Sequence, residues 1–417
     1  MATLRHLYVH VKNYGFGSNG LFLLGMLILF WAIFDGIISY IAPIIITQNG
    51  ISKSMMGLII GSSSVAGALF DFLMCRIFKS TYYRRMFLIM FGLCFIFPLF
   101  LWQAKIMSLY LIAMAIWGIY YDLSNFGKFD FITRNIKKDQ NTSSFGVIQV
   151  FYSLGYLIAP LLATVVIGET IDWKPFAMAW VFIIISFIFF LLLIGLKRKE
   201  RGEGSVCRKA NFFAEFHLWG KIGRILWPVL ILTFIINVID AFFWTIGPLL
   251  AESLRDIAPF GGLLMFAYSF PALIVGWLTG IFTGKYGKKK VAFYCLLFGS
   301  IVLLPLFLVE SAFLVIAIVL LSSFLLSFTW PSINGAYADY MEEAKNVEKE
   351  IEGIEDFCAN LGYIVGPILA GVLSDTTSEN GAFSILAAFC VLVALFLLKV
   401  TPRNINVRKQ LSLGEID

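Results

Sequence analysis

The chain has 417 residues, of which 59% are hydrophobic and only 14% are charged. A water-soluble domain is usually about 45–50% apolar and about 25% charged, and a globule of this size could not hide so much apolar surface. The composition therefore all but excludes a water-soluble enzyme. It also excludes a disordered chain, because disordered segments are polar and rich in charge. At about 20 residues for each helical span, the length allows roughly twelve transmembrane helices.

The net charge of +6 is typical of a membrane protein whose Lys and Arg lie on the cytoplasmic side, so it does not indicate a nucleic-acid partner. No two of the six Cys form a CxxC pair, and the three His lack the spacing of metal ligands. No nucleophile–base pair is visible in the sequence. We therefore expect a protein that is not an enzyme and that holds no metal and no cofactor.

Twelve long apolar runs, separated by short polar breaks, are each predicted to cross the bilayer as a helix. An even number of spans places both termini on one side, and most Lys and Arg of the connections lie on that side. By the positive-inside rule, we expect both termini in the cytoplasm and the chain in the cell membrane. The predicted spans are 20–46, 55–75, 86–103, 109–131, 144–167, 176–196, 225–250, 259–283, 291–308, 312–338, 353–374 and 382–400.

The one long connection between spans covers residues 197–224 and separates six spans from six. Four aromatic residues recur at helical spacing in its second part beside basic residues, which predicts an amphipathic helix at the membrane surface. The predicted organisation is an N-terminal six-helix bundle over 1–196, a cytoplasmic linker over 197–224 and a C-terminal six-helix bundle over 225–417.

The two halves of the chain repeat each other. Span one reads FWAIFDGIISYIAPII and span seven reads FIINVIDAFFWTIGPLL, while span five contains SLGYLIAPLLA and span eleven NLGYIVGPILA. Parallel repeats of this kind occur in some transporter folds. The matched residues are Asp35 with Asp240 and Pro43 with Pro248 at a separation of 205, and Gly155 with Gly362 and Pro160 with Pro367 at 207.

Six plus six helices, a basic central loop and parallel halves resemble the major facilitator superfamily of transporters, and two of its motifs can be placed. The loop after span two of that family reads G-x-L-x-D-r-x-G-r-r, and its antiporter motif in span five reads G-x8-G-x3-G-P-x2-G. The second half carries related patterns, with Gly284 where the acid of the first motif would be. The first motif covers Gly67, Asp71, Arg76, Gly284, Lys285, Gly287 and Lys288, and the second covers Gly146, Gly155, Pro160, Gly362, Gly366 and Pro367.

The resemblance implies a conformational latch at the cytoplasmic end of span two. There Asp71 would accept hydrogen bonds from the start of a neighbouring helix, where the helix dipole favours an anion, and Arg76 would pair with it. An interfacial charge without a switching role is the alternative. The small residues of spans five and eleven let helices approach closely in lipid, so they are predicted to form packing seams, with or without a part in transport.

Ionisable residues inside a span are costly and are therefore functional candidates. Asp35, Asp122 and Asp240 lie near the middle of spans one, four and seven, and Lys128 lies further along span four. The resemblance implies that these spans line a central cavity. For Asp35 and Asp240, the alternative is a buried contact to a neighbouring helix. Lys128 could pair with Asp35 or Asp240, and the alternative for it is snorkelling to the headgroups. Further candidates for this predicted substrate and proton site are Trp31, Tyr121, Asn125, Asn237 and Trp244.

The leading interpretation is a secondary active transporter that moves a small organic solute by alternating access, coupled to protons through the central acids. The antiporter-like motifs favour export. The alternatives are proton-coupled uptake of a small polar nutrient, with Lys128 as a carboxylate contact, and a receptor or lipid-handling protein on the same fold. The expected partners are the substrate, protons and the lipid bilayer, and the chain is expected to act as a monomer.

Overall fold

The computed structural model describes residues 19–77, 82–136, 141–168, 170–196, 212–344, 347–402, 405 and 407, and the regular structure in these ranges is helical throughout. Twelve of the helical segments are long and apolar enough to cross a membrane. The prediction of an all-α membrane protein with twelve spans is confirmed.

The α-helices follow one another with short connections, and 3-10 turns at Pro259–Leu263 and Leu304–Leu308 extend two of the spans. Because α10 and α11 belong to one candidate span, the thirteen α-helices of the described ranges supply twelve such spans. The helices are α1 Asn19–Gln48, α2 Lys53–Ile77, α3 Tyr83–Gln103, α4 Met107–Asn135, α5 Asn141–Val166, α6 Lys174–Gly195, α7 Phe212–Ile257, α8 Leu264–Tyr286, α9 Lys288–Leu303, α10 Ala312–Leu326, α11 Thr329–Glu343, α12 Glu348–Thr376 and α13 Glu379–Val400.

The helices form two compact units. The first contains α1, α2 from Val65 onward, and α3 to α6; the second contains Gly50–Ser64, which includes the start of α2, together with α7 to α13. In the first unit α1 packs on α5 and α6, and in the second α7 packs on α12. The division of the chain at 196 and 225 stays a prediction. Residues 197–211 of the predicted linker lie outside the described part of the chain.

Two helices differ from the sequence prediction. Residues 212–224, predicted as a separate amphipathic segment, form the first part of α7, which runs for 46 residues without a break. Conversely, the predicted span 312–338 is divided into α10 and α11 at Ser327 and Phe328. Pro331 lies in the first turn of α11, a position that tolerates a residue without a backbone N–H.

The internal repeat is also present in the packing. A Cβ atom on Gly155 of α5 would lie 2.7 Å from the carbonyl oxygen of Leu29 on α1, and one on Gly362 of α12 would lie 2.8 Å from that of Phe234 on α7. Leu29 and Phe234 stand at the same separation as Asp35 and Asp240. Each unit therefore brings its aspartate helix into backbone contact with a partner helix in the same register, and this contact positions the acids.

Candidate functional site

Asp35 lies in the interior of the first unit with only 1% of its surface exposed. Its carboxylate accepts hydrogen bonds from Trp117 Nε1 at 3.0 Å and Tyr120 Oη at 2.5 Å, both on α4, and from the Tyr156 hydroxyl on α5. Three neutral donors from two helices thus surround one acid. Hydrogen bonds of this kind lower the cost of placing a carboxylate in an apolar interior.

Asp240 has a similar environment in the second unit. It accepts a hydrogen bond from the Tyr363 hydroxyl on α12 at 2.6 Å and another from the Tyr268 hydroxyl on α8. The ring of Tyr268 is fixed in turn by Phe243, which stacks on it with the ring centroids 3.9 Å apart. The donors of Asp240 are again neutral hydroxyl groups.

Each acid accepts a hydrogen bond from a tyrosine at the same position of the repeat. Tyr156 follows Gly155 in the SLGY segment of α5, and Tyr363 follows Gly362 in the NLGY segment of α12. Each tyrosine therefore reaches its aspartate from the glycine seam that holds the helix pair together. The other donors differ, since Asp35 takes two from α4 whereas Asp240 takes one from α8.

Lys128 on α4 extends toward an aromatic cluster in the first unit. Its Nζ lies 5.0 Å from the ring centroid of Tyr152 on α5 and 5.8 Å from that of Trp31 on α1. Trp31 is fully buried, and the hydroxyl groups of Tyr121 and Tyr152 are hydrogen-bonded at 2.7 Å. The structure therefore brings together four of the predicted site residues, which are Trp31, Asp35, Tyr121 and Lys128.

A family model described as the Major Facilitator Superfamily matches residues 21–255 and 229–413, which together cover most of the sequence. The chain belongs to the major facilitator superfamily. The resemblance inferred from the motifs is thereby confirmed, and the members of this superfamily are transporters and not enzymes.

The chain is similar to an uncharacterized MFS-type transporter, YuxJ, of Bacillus subtilis, with 25% identity over 64% of this chain and 66% of that protein. It is also similar to a multi-drug resistance efflux pump, a PmrA homolog of Lactococcus lactis, with 23% identity over 67% of each chain. Among solved structures, the nucleoside transporter NupG superimposes with a TM-score of 0.72 at 13% identity, covering 92% of this chain and 100% of NupG. The structural likeness supports the fold alone.

The other predicted residues of the central site lie in different surroundings. Asp122 faces α2, with Oδ2 only 2.6 Å from the position of a Cβ atom on Gly67, so it lies at the first glycine of the superfamily loop motif. Asn237 is buried and donates to the carbonyl oxygen of Thr233 at 2.7 Å. Asn125 is exposed on α4, and Trp244 is half-buried on α7. Their roles in substrate or proton binding stay predictions.

The predicted latch is described best in the second half. Gly287 separates α8 from α9 with φ of +88°, a conformation that favours glycine. Lys288 then donates to the carbonyl oxygen of Gly335 and pairs with Asp339 at 2.6 Å, which ties the start of α9 to α11. Gly284 and Lys285 are exposed. In the first half, the side chain of Arg76 lies outside the described residues, so its pairing with Asp71 stays a prediction.

Some glycines of the small-residue motif contact a neighbouring helix, and one does not. Gly155, Gly362 and Gly366 each lie against the backbone of a neighbouring helix, whereas a Cβ atom on Gly146 would meet no described atom within 4 Å. Pro160 and Pro367 are buried inside their helices, and the carbonyl oxygen of Pro367 approaches Gly57 of α2. Three of the four motif glycines thus lie in helix contacts, and a role of the motif in transport stays a prediction.

Sequence reasoning missed the tyrosines that hold the acids. Tyr156 and Tyr363 stand in the repeated LGY segments, so the repeat itself could have identified them. Trp117, Tyr120 and Tyr268 have no such signal, because their roles depend on how the helices rotate against one another. No cluster that could hold a metal ion occurs among the residues that the structure describes.

Proposed function

We propose that this chain is a proton-coupled secondary transporter that exports a small organic solute by alternating access. The observation that carries the proposal is the repeated pair of Asp35 with Tyr156 and Asp240 with Tyr363, one in each unit and each inside a membrane-spanning helix. An isolated carboxylate in such a place costs several kcal/mol, and protonation removes that cost. Each acid is therefore suited to carry a proton in one conformation and release it in another.

The direction of transport is inferred from the relatives. The Lactococcus relative is a multi-drug resistance efflux pump, and the glycine seam of α5 and α12 follows the antiporter motif of the superfamily. Export that is driven by a proton gradient requires that the solute leaves the cell while protons enter it. We infer further that the chain acts as a monomer in the cell membrane with both termini in the cytoplasm.

Transport by the purified chain in liposomes with an imposed pH gradient tests the proposal. The probes are organic solutes of positive, neutral and negative charge, and a dye in the lumen reports proton movement. We expect Asp35→Asn and Asp240→Asn each to reduce gradient-driven transport by at least about tenfold, while exchange of solute down its own gradient continues, because asparagine keeps the hydrogen-bond acceptor but cannot titrate.

The matched control is Asp172→Asn in the connection between α5 and α6. The backbone N–H of Lys174 donates to the Asp172 carboxylate and holds its pKa below the usual range, so this acid stays charged near neutral pH. The control should transport as the unaltered chain does. Gradient-driven transport that persists in both membrane variants would contradict proton coupling through these acids, and proton and solute movement in the same direction would indicate uptake.

A further inference from the structure

We propose that the solute carries a carboxylate or a similar single anionic group on an aromatic body, and that Lys128 binds this group. The inference deepens the proposed function and rests on it. It starts from the position of the Lys128 ammonium, which lies over the rings of Trp31 and Tyr152 in the first unit.

Snorkelling does not describe this lysine. A snorkelling side chain carries its ammonium group out to the headgroups, whereas Lys128 Nζ lies over the rings of Trp31 on α1 and Tyr152 on α5. Trp31 has no exposed surface, and its ring contacts that of Tyr121 with centroids 5.8 Å apart. The ammonium group is therefore held inside a three-helix contact of α1, α4 and α5.

No acid forms an ion pair with Lys128 among the described residues. Lys128 interacts electrostatically with Asp35, but the hydrogen bonds to that carboxylate come from Trp117, Tyr120 and Tyr156. Asp130, two residues along α4, pairs with Arg134 and accepts from the backbone N–H of Tyr83. A half-buried cation is stabilised by an anionic partner, and ring faces compensate only a part of the cost of removing it from water.

The surroundings of Lys128 indicate what that partner is. Tyr121, Asn125 and Lys128 stand four and three residues apart and share one face of α4. Asn125 is exposed and Lys128 is partly exposed, so a ligand can reach this face. The half-buried rings of Tyr121 and Tyr152 thus adjoin this positive charge, an arrangement that attracts an aromatic anion and repels a cation.

The second unit has no lysine at the corresponding position of its helix. When Gly127 of α4 is matched with Gly335 of α11, the residue opposite Lys128 is Ala336. Asp35 and Asp240 recur in both repeats, whereas the lysine at this position of α4 does not recur in α11. This asymmetry fits a solute with one anionic end, because a structural role for the lysine in the repeat would be expected in both halves.

Thermal unfolding of the full chain in detergent tests the inference without any gradient. The probes are 2-naphthoate, biphenyl-4-carboxylate and indole-3-acetate, each compared with its own amide and with the corresponding primary amine. We expect the carboxylates to raise the melting temperature more than the amides and the amines. Lys128→Met should weaken carboxylate binding by about 10- to 100-fold, as expected for the loss of a hydrogen bond between charged groups.

Lys128→Arg should keep a measurable part of the carboxylate effect, and Lys105→Met, which removes an exposed lysine between α3 and α4, should keep all of it. Equal stabilisation by amides or amines, no stabilisation by any carboxylate, or an unchanged carboxylate effect in Lys128→Met would overturn the inference. The comparison in the unaltered chain stands even if Lys128→Met fails to fold. Because no pH gradient is involved, these outcomes are distinguishable from a failure of proton coupling.

Discussion

At the scale of single residues, the hydroxyl groups that hold the acids have a measurable role. Tyr363→Phe keeps the ring but removes one of the two donors to Asp240 that lie on α8 and α12. A hydrogen bond to a charged group contributes about 1.5–3 kcal/mol, more than one between neutral groups. We expect Tyr363→Phe to slow gradient-driven transport by about tenfold or more and to change its pH dependence, as measured in liposomes.

Tyr337→Phe is the matched control in the second unit. The Tyr337 hydroxyl is buried, but its partner is the neutral hydroxyl of Thr233 at 3.0 Å. Its loss should affect folding stability modestly and leave the pH dependence of transport unchanged. Equal effects of the two variants on the pH dependence would show that Tyr363 has no special relation to the proton.

The sequence predicts a site residue only where its pattern determines the position of the side chain. Asp35 and Asp240 are predictable because an acid inside an apolar run is costly and because it recurs in the repeat. The sequence groups Asp122 with them by its depth and by the cavity-lining role that the resemblance implies for its span, yet the Asp122 carboxylate faces Gly67 of α2. Depth along a helix follows from the sequence, whereas the direction of a side chain depends on how the helix rotates against its neighbours.

At the scale of the helix, one change in α5 tests whether the glycine seam is a contact that tolerates no added atom. A Cβ atom on Gly155 would lie 2.5 Å from the Ala32 side chain as well as close to the backbone of Leu29. Gly155→Ala must therefore push α5 away from α1, and overpacking of this kind costs about 1–3 kcal/mol. We expect a lower melting temperature in detergent and impaired transport.

Gly146→Ala, in the same helix, is the control. No described atom lies within 4 Å of the added methyl group, and alanine is a better helix former than glycine by about 1 kcal/mol. The melting temperature should stay unchanged or rise. If the two alanine variants were equally stable, the close approach at Gly155 would be irrelevant to stability.

The number of membrane-spanning helices is predictable from the length of the apolar runs. Whether a given helix is continuous or broken is not. Two prolines inside α7 do not interrupt it, whereas Pro331 accompanies a break in the tenth span. Proline removes the same hydrogen bond in each case, so the surrounding packing decides whether the chain kinks or starts a new helix. Such packing comes from residues distant in the sequence, which short-range patterns do not report.

At the scale of the whole molecule, alternating access requires contacts that form in one state and break in another. A contact of this kind joins the start of α2 to α12 within the second unit. The Asp375 carboxylate on α12 accepts hydrogen bonds from the backbone N–H groups of Lys53 at 3.1 Å and Ser54 at 2.7 Å, and Lys53 pairs with Glu379. An acid at a helix N-terminus satisfies free N–H groups and complements the helix dipole.

Asp375→Ala should therefore shift the molecule toward the state in which the start of α2 is separated from α12. The loss of such a cap costs about 1–2 kcal/mol, which changes a two-state ratio by a factor of about 5–30. Ile368 lies in the contact, next to Gly57 and Gly61 of α2. A cysteine that replaces Ile368 in a chain without its native cysteines should react with a maleimide faster in Asp375→Ala than in the parent, whereas Asp375→Asn, which keeps an acceptor, should give an intermediate rate. Identical rates in all three chains would mean that this cap does not hold the contact closed.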